Sequence, residues 1–583
     1  MPVSLVEGES LLALDVGAVN TRALLFDVVE GRYRFVAAGQ STSTAEAPFA
    51  DIEAGVRRSI EHLQNITGRM FLQPNGAFVL PSQPDGSGTD AVVAVLSAGP
   101  ALKTVIVGLL DGVSVESARR LAETTYARIV DTIGLSDTRQ AQEQLNDLLR
   151  ERPNLVIIAG GTDGGASRSL QKVIEVIGLV CYLLPENQRP AVLFAGNQKL
   201  AEDVRTLLEK WTPILHFSPN VRPGLETEDL GPASRELAEM FTAIRQISMQ
   251  GVEDLSLRCG GLLPAAYAYG RMVRFLSQVY GGEGGLLGVE VGASAVTVAA
   301  GLTGNLRLNV YPQFGLGENL PRILKNTELA DIVRWLPLDI SAGFVLDYIH
   351  QKSIYPSSLP ATKEDLAIEQ ALARQALYLA VRSAARDWPA PVRPVRPGLL
   401  PPFEPIFVGG SVIANAPTLG QSLLMVLDAL QPVGITNIVL DQNNLLPVLG
   451  AVAERNALLP VQVLESGAFV NLAAVVAPIC EAEYGTVVMR VRLIQDDGTE
   501  SQHDVKHGSL EILPLPGGQS AKLQIKPLRR ADVGFGPGRA GTIRVAGGVL
   551  GVIIDARGRP LSLPADAVRR RELIKKWLWT VGG

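Results

Sequence analysis

Residues 12–27 read LALDVGAVNTRALLFD, Leu12 to Asp27. Leu11, Leu12, Ala13 and Leu14 form a short apolar run suited to a buried strand. The chain turns at Asp15-Val16-Gly17-Ala18 and returns through Ala23, Leu24, Leu25 and Phe26 as a second strand. The pair is expected to be a hairpin with an acid at its bend. Gly17 lets the backbone approach a ligand closely, and Ala18, Asn20 and Thr21 can present N–H and hydroxyl donors to phosphate oxygens. Asp15, at the strand end, is placed to hold a hydrated Mg²⁺. The alternative for this stretch alone is an Asp-Gly turn in an ordinary hairpin.

A second stretch repeats the design. Leu286 to Val291 is apolar around an acid, Glu290; Gly292, Ala293 and Ser294 make the turn, and Ala295 to Val298 return. Each copy then turns again, at Glu30-Gly31 and at Gly304-Asn305, into a third strand. Two such sets far apart in the chain predict a duplicated, two-lobed protein with a cleft between the lobes. A third element, Pro405-Ile406-Phe407-Val408-Gly409-Gly410-Ser411, is an apolar strand running into paired glycines before a helix.

In this order the three motifs resemble the two phosphate loops and the adenosine-binding strand of the actin, sugar kinase and Hsp70 ATPase superfamily. The resemblance implies an α/β fold: a duplicated actin-like, ribonuclease H-like two-lobed ATPase with an inserted α/β segment. It also implies ATP or ADP with Mg²⁺ as ligands, held through Asp15, Gly17, Ala18, Asn20, Thr21, Gly292, Ala293, Ser294, Gly409, Gly410 and Ser411, with Asp15 and Glu290 toward the metal.

Between these motifs, Gly160-Gly161-Thr162-Asp163-Gly164-Gly165-Ala166-Ser167 follows a strand and opens a helix. Glycines crowded at that junction leave N–H groups free for an anion, and Asp163 could hold a cation or a ligand hydroxyl. Gly160, Gly161, Thr162, Asp163 and Gly164 therefore join the candidate binding residues. Four stretches together resemble the MutL/GlmL family over about Leu11 to Val463: this loop, Phe194-Ala195-Gly196-Asn197, Ser218 to Pro223, and Leu96 to Leu109. Members are encoded beside the adenosylcobalamin-dependent glutamate mutase and are regarded as its accessory protein; the name is not that of the mismatch-repair protein. The resemblance implies a cytoplasmic, ATP-binding, chaperone-like or reactivating factor for a cobalamin-dependent mutase. No D-x-H-x-x-G segment occurs, so the chain is not expected to be the mutase itself.

The second loop departs from the family, whose pattern is close to D-x-G-G-A-T-T-D. Glu290 replaces the leading Asp, Ala293 a Gly, and Val296 the trailing acid. Val296 cannot orient or deprotonate an attacking water, so hydrolysis is expected to be slow or lost: at most a slow ATPase. The alternative is an actin-like scaffold that self-assembles and no longer hydrolyses ATP.

The chain has 583 residues, 47% hydrophobic and 19% charged, with a net charge of −6. That supports several globular domains and gives no general attraction to nucleic acid. No apolar run reaches the roughly 20 residues that cross a bilayer. Cys181, Cys259 and Cys480 are far apart and are expected to be buried thiols. Expected domains are 1–280, including an α/β segment at about 91–225 with a helix from Val115 to Ile133; 281–465; a small β domain at 466–563; and an amphipathic helix at 564–583. That last helix, with Ile574, Trp577, Leu578 and Val581 at helical spacing, is expected to pack on its own chain. A membrane surface and a partner protein are the alternatives.

Overall fold

The computed structural model describes residues 9–165, 168–280, 282, 284–302, 304–389 and 398–582. Ala166, Ser167 and residues 390–397 of a Pro-rich stretch thus lie outside the described residues. The chain divides into two units: Met1–Arg32, Val36–Ala268 and Leu308–Pro312 form the first, and Tyr33–Phe35, Tyr269–Arg307 and Gln313–Gly583 the second.

Strands in the first part of the chain are β1 (Leu11–Val16), β2 (Asn20–Val29), β3 (Arg32–Thr42), β4 (Ala91–Leu96), β5 (Leu102–Val107), β6 (Ala127–Ile133), β7 (Leu155–Ile158), β8 (Ala191–Phe194), β9 (Leu215–Phe217) and β10 (Leu263–Pro264). β1 is buried along its whole length, as a continuous apolar run between two paired neighbours requires. It pairs antiparallel with β2, Leu14 opposite Ala23, and parallel with β4. The sheet order is β3-β2-β1-β4-β10.

The rest of the chain supplies β11 (Leu286–Val291), β12 (Val296–Leu302), β13 (Asn305–Tyr311), β14 (Ile406–Gly409), β15 (Gly434–Leu440) and β16 (Val470–Ala477), followed by β17 (Val487–Gln495), β18 (Glu500–Lys506), β19 (Leu510–Leu513), β20 (Ser520–Pro527), β21 (Gly541–Ala546) and β22 (Val552–Asp555). The order β13-β12-β11-β14-β15 reproduces that of the first sheet. Its central pairings also match, antiparallel to β12 and parallel to β14. The strands that repeat in sequence therefore repeat in topology, and the fold is the duplicated actin-like one.

Between β4 and β10 sits a separate parallel sheet, β6-β5-β7-β8-β9. One apolar core lies on each of its faces, so helices cover both sides. The single helix expected over Val115–Ile133 is instead a helix Glu116–Ala122 followed by β6. Ile129, Thr132 and Ile133 are β-branched and pair along β5, with Val130 at the register shift between them, and this pairing outweighs the helical spacing before them.

The second sheet does not stop at residue 465. β16 pairs with β15, and β22 and β19 continue the sheet outward. β18-β17-β20-β21 form a four-stranded antiparallel sheet, and one apolar core joins the two: Ala474, Val476 and Ile554 pack with Val491, Leu523 and Val545. The terminal helix Ala567–Thr580 buries Ile574 and Trp577 against its own unit, and Val581 follows it into the core. All three cysteines are buried and free. No described helix is long and apolar enough to cross a membrane.

Candidate functional site

In the first unit the bend between β1 and β2 is closed by the Gly17 N–H donating to the Asn20 carbonyl, 3.0 Å. A Cβ on Gly17 would stand 2.8 Å from that oxygen, so glycine is required. Ala18 and Asn20 are partly accessible at the bend, while Thr21 is fully buried and its hydroxyl has no hydrogen-bond partner among the described residues.

Asp15 stands directly opposite Arg22 in the hairpin, and Arg22 Nη1 lies 3.0 Å from Asp15 Oδ2 with both side chains largely buried. A divalent cation at Asp15 would have to displace or repel that guanidinium, so the residues as arranged do not fit the metal role expected of Asp15. The sequence reading missed Arg22, although hairpin register alone places residue 22 across from residue 15.

The second unit repeats the bend. Gly292 N–H donates to the Ala295 carbonyl, 3.0 Å. Behind it, Leu316 N–H and Gly317 N–H donate to the carbonyls of Gly292 and Ala293, each 3.0 Å. A Cβ on Gly315 or Gly317 would meet the Ala293 carbonyl at 2.5 or 2.9 Å, so the two glycines let this segment back the loop. They too were missed, though Gly315-Leu316-Gly317 was a visible signal. The Ser294 hydroxyl is buried and unpartnered among the described residues.

β14 brings the paired glycines to this loop. Gly409 is in register with Glu290. Gly410 has φ 101° and lies so close to β11 that a Cβ would stand 2.2 Å from the Val291 carbonyl. Ser411 begins the short helix Ser411–Ala414. A Cβ on Gly409 would by contrast stand in ordinary van der Waals contact with Asp441 and Glu290, at 3.8 and 3.9 Å, so this glycine is not held by collision.

Asp441 accepts from the N–H groups of Leu445 and Leu446, 2.8 Å each, and caps the helix Leu445–Val452. Beneath this group the buried Tyr269 hydroxyl has no partner among the described residues. Its burial, and then the carboxylates of Glu290 and Asp441, push its pKa well above the usual tyrosine range, so it remains a hydrogen-bond donor. In the second hairpin the register partner of Glu290 is Thr297. Val296 is fully buried in β12 opposite Val291 and offers no proton acceptor.

Gly160, Gly161, Thr162, Asp163 and Gly164 lie at the carboxyl end of β7, in the inserted sheet and not in the sheet that carries Asp15 to Thr21. Asn220 Nδ2 donates to the Gly161 carbonyl and to Asp163 Oδ1, both 2.9 Å, and the Asn197 N–H donates to the Gly160 carbonyl, 3.0 Å.

Residues 11–467 match the family model described as MutL protein. The chain is 24% identical over 297 residues to protein MutL of Clostridium tetanomorphum, covering 50% of this chain and 57% of that protein; it thus spans less than two thirds of that relative's length. Among solved structures, the nucleotide-free acetone carboxylase is 12% identical and covers 86% of this chain and 81% of its own, with a TM-score of 0.29. The ethanolamine utilization protein EutJ from Carboxydothermus hydrogenoformans is 9% identical, covering 76% and 88%, at a TM-score of 0.27. Diol dehydratase-reactivating factor in its nucleotide-free form is 10% identical, covering 79% and 99%, at 0.29.

Proposed function

We propose that this chain, which belongs to the MutL family, is an adenine-nucleotide-binding accessory protein that acts on a partner enzyme, a cobalamin-dependent mutase. The observation that carries the nucleotide reading is the second-unit junction of Glu290, Gly292, Gly409 and Gly410. There, two strand ends meet with bare backbone at Gly409 and Gly410, and the Glu290 side chain lies beside Gly409. In this reading the adenosine lies against Gly409 and Gly410, phosphates meet the N–H groups of Ala293 and Ser294 in the bend, and Glu290 holds a hydrated Mg²⁺ through water. The Gly17–Thr21 bend of the first unit is closed in the same way, by a glycine N–H on the carbonyl three residues on.

Binding is favoured over turnover. Counted from Glu290, the eighth position of the loop is Thr297, not Val296; both are buried and neither carries the carboxylate that would align water, so the protein hydrolyses ATP slowly at most. The scaffold reading, in which the shell assembles without hydrolysis, draws on the same substitution.

The experiment follows from Gly409. Because a Cβ there meets only ordinary contacts, Gly409→Val is expected to cover the bare backbone against which the adenosine would lie, and the melting temperature of the variant without nucleotide checks that it folds. ADP and ATP should raise the melting temperature of the native chain by several degrees and leave that of the variant unchanged. The absence of any shift in the native chain would remove the nucleotide reading. The partner is tested separately, by adding the chain and ATP to inactivated glutamate mutase holoenzyme. Recovered mutase activity that Gly409→Val fails to give supports the accessory role; no recovery with the native chain excludes it for that enzyme.

A further inference from the structure

In the inserted sheet the chain travels from β5 one way to β6, then crosses back to β7 and continues the other way to β8 and β9. At such a reversal the connections leaving the carboxyl ends of the two central strands diverge to opposite faces, and the crevice that opens between them is where open parallel sheets bind ligands. Here the reversal falls between β5 and β7, and Gly160 to Gly165 is the connection leaving β7.

Three features of this crevice point to an anion. The first is the backbone. Gly160, Gly161 and Gly164 have φ of 149°, 71° and 81°, conformations that side chains disfavour. A Cβ on Gly196 would stand 2.9 Å from the Gly160 carbonyl, so no side chain intrudes from β8. In this strained turn the successive N–H groups of Gly161 and Thr162 donate to nothing among the described residues, and paired free N–H groups of this kind make an anion-binding concavity.

The second is rigidity. Asn197 and Asn220 are 1% and 5% exposed and spend their side-chain amides on the loop, Asn220 on Gly161 and Asp163, Asn197 on Gly164 and Gly165. A loop held this way loses little entropy when a ligand arrives.

The third is charge. Lys199 reaches over the loop, its Nζ 3.6 Å from where a Gly164 Cβ would be, and it makes no ion pair among the described residues. The neighbouring acids are already engaged. Asp163 accepts from Asn220, and Glu228 is shared by Ser117 and Arg120, with Arg222 3.9 Å away.

We propose that the carboxyl end of β7 is a second ligand site, separate from the nucleotide loops, that takes the phosphate group of a small phosphomonoester. The Gly161 and Thr162 N–H groups and the Lys199 ammonium bind the phosphate oxygens. The ester's organic part extends along the crevice toward the connection leaving β5. The site stands whether or not the nucleotide reading does, because its residues lie in another sheet.

Two variants of the exposed Lys199 test it without threatening the fold: Lys199→Gln, which removes the charge, and Lys199→Glu, which sets a carboxylate over the loop. Hydrogen exchange of the full chain is followed in peptides covering residues 158–165 and 195–200, with inorganic phosphate and with glycerol phosphate as probes. Both probes should protect these peptides, glycerol phosphate at least as well as phosphate. Each variant should need at least tenfold more probe at an unchanged melting temperature. The proposal is overturned if neither probe protects these peptides, or if both variants respond as the native chain does. Protection by phosphate alone rejects the ester. Repeating the measurement in Gly409→Val separates the two sites: protection here should persist when the response to ADP is lost.

Discussion

Asp15 shows how far one residue's surroundings can change its expected chemistry. A carboxylate at the end of an apolar strand before a glycine bend is a reasonable metal anchor, yet the hairpin register sets Arg22 against it, 3.0 Å away and largely out of water. That pair spends the charge that a cation would need. Glu290, the equivalent acid of the second copy, faces Thr297 instead. The difference in nucleotide-induced melting shift between Mg²⁺ and a chelator is therefore expected to persist in Asp15→Asn and to vanish in Glu290→Gln; the reverse outcome would return the metal to the first bend. Asp15→Asn also leaves Arg22 without its counter-charge. It should cost about 2–4 kcal/mol of stability, somewhat below a fully buried pair because the Arg22 side chain keeps 12% exposure.

At the scale of elements, the strands and bends of both copies were legible because buried strands write continuous apolar runs and tight bends demand glycine. β1, β2, β11, β12 and β14 fall where those signals place them. Less legible was whatever depended on a distant partner. β6 follows a helical pattern and is a strand because β5 offers it a ladder. Gly315 and Gly317 look like an ordinary turn and matter because they back the second phosphate bend. Even adjacent glycines differ in kind. Gly410 is locked by the Val291 carbonyl and a positive φ, whereas a Cβ on Gly409 would meet only ordinary contacts. Gly410→Ala is expected to lose at least about 3 kcal/mol, or to fail to accumulate, while Gly409→Ala stays within about 1 kcal/mol of the native chain. Denaturant melts of the two variants decide this, and equal losses would mean that β14 does not press on β11.

At the scale of the whole molecule, the strand-rich C-terminal region is bound into the second unit by charge as well as by shared strands. Asp428 of the helix Leu419–Leu430 accepts from Arg374 of the long helix Lys363–Ala384, 2.8 Å, and from Arg557 after β22, 2.7 Å. Asp555 at the end of β22 accepts from Arg557 and Arg559, 2.9 and 2.6 Å, and all these groups are buried. Arg557 in turn lies 4.6 Å from the ring centre of Trp577 on the terminal helix. Burial alone would raise the Asp555 carboxyl, but the two arginines hold it well below the usual carboxylate range. A depressed folded-state pKa means that its contribution is complete above the unfolded value near pH 4 and is lost as pH falls below it. Acidification from pH 5 to pH 3 should therefore lower the stability of the second unit. Asp555→Asn should remove part of that dependence while costing about 3–5 kcal/mol at pH 7, because buried Arg559 loses its carboxylate and Arg557 keeps only Asp428. Thermal melts of both proteins across this range are the check. If the slope with pH were the same in the variant, the cluster would not be what ties the C-terminal strands to the helices of the lobe, and the shared apolar core of β16, β22 and the four-stranded sheet would have to hold them alone.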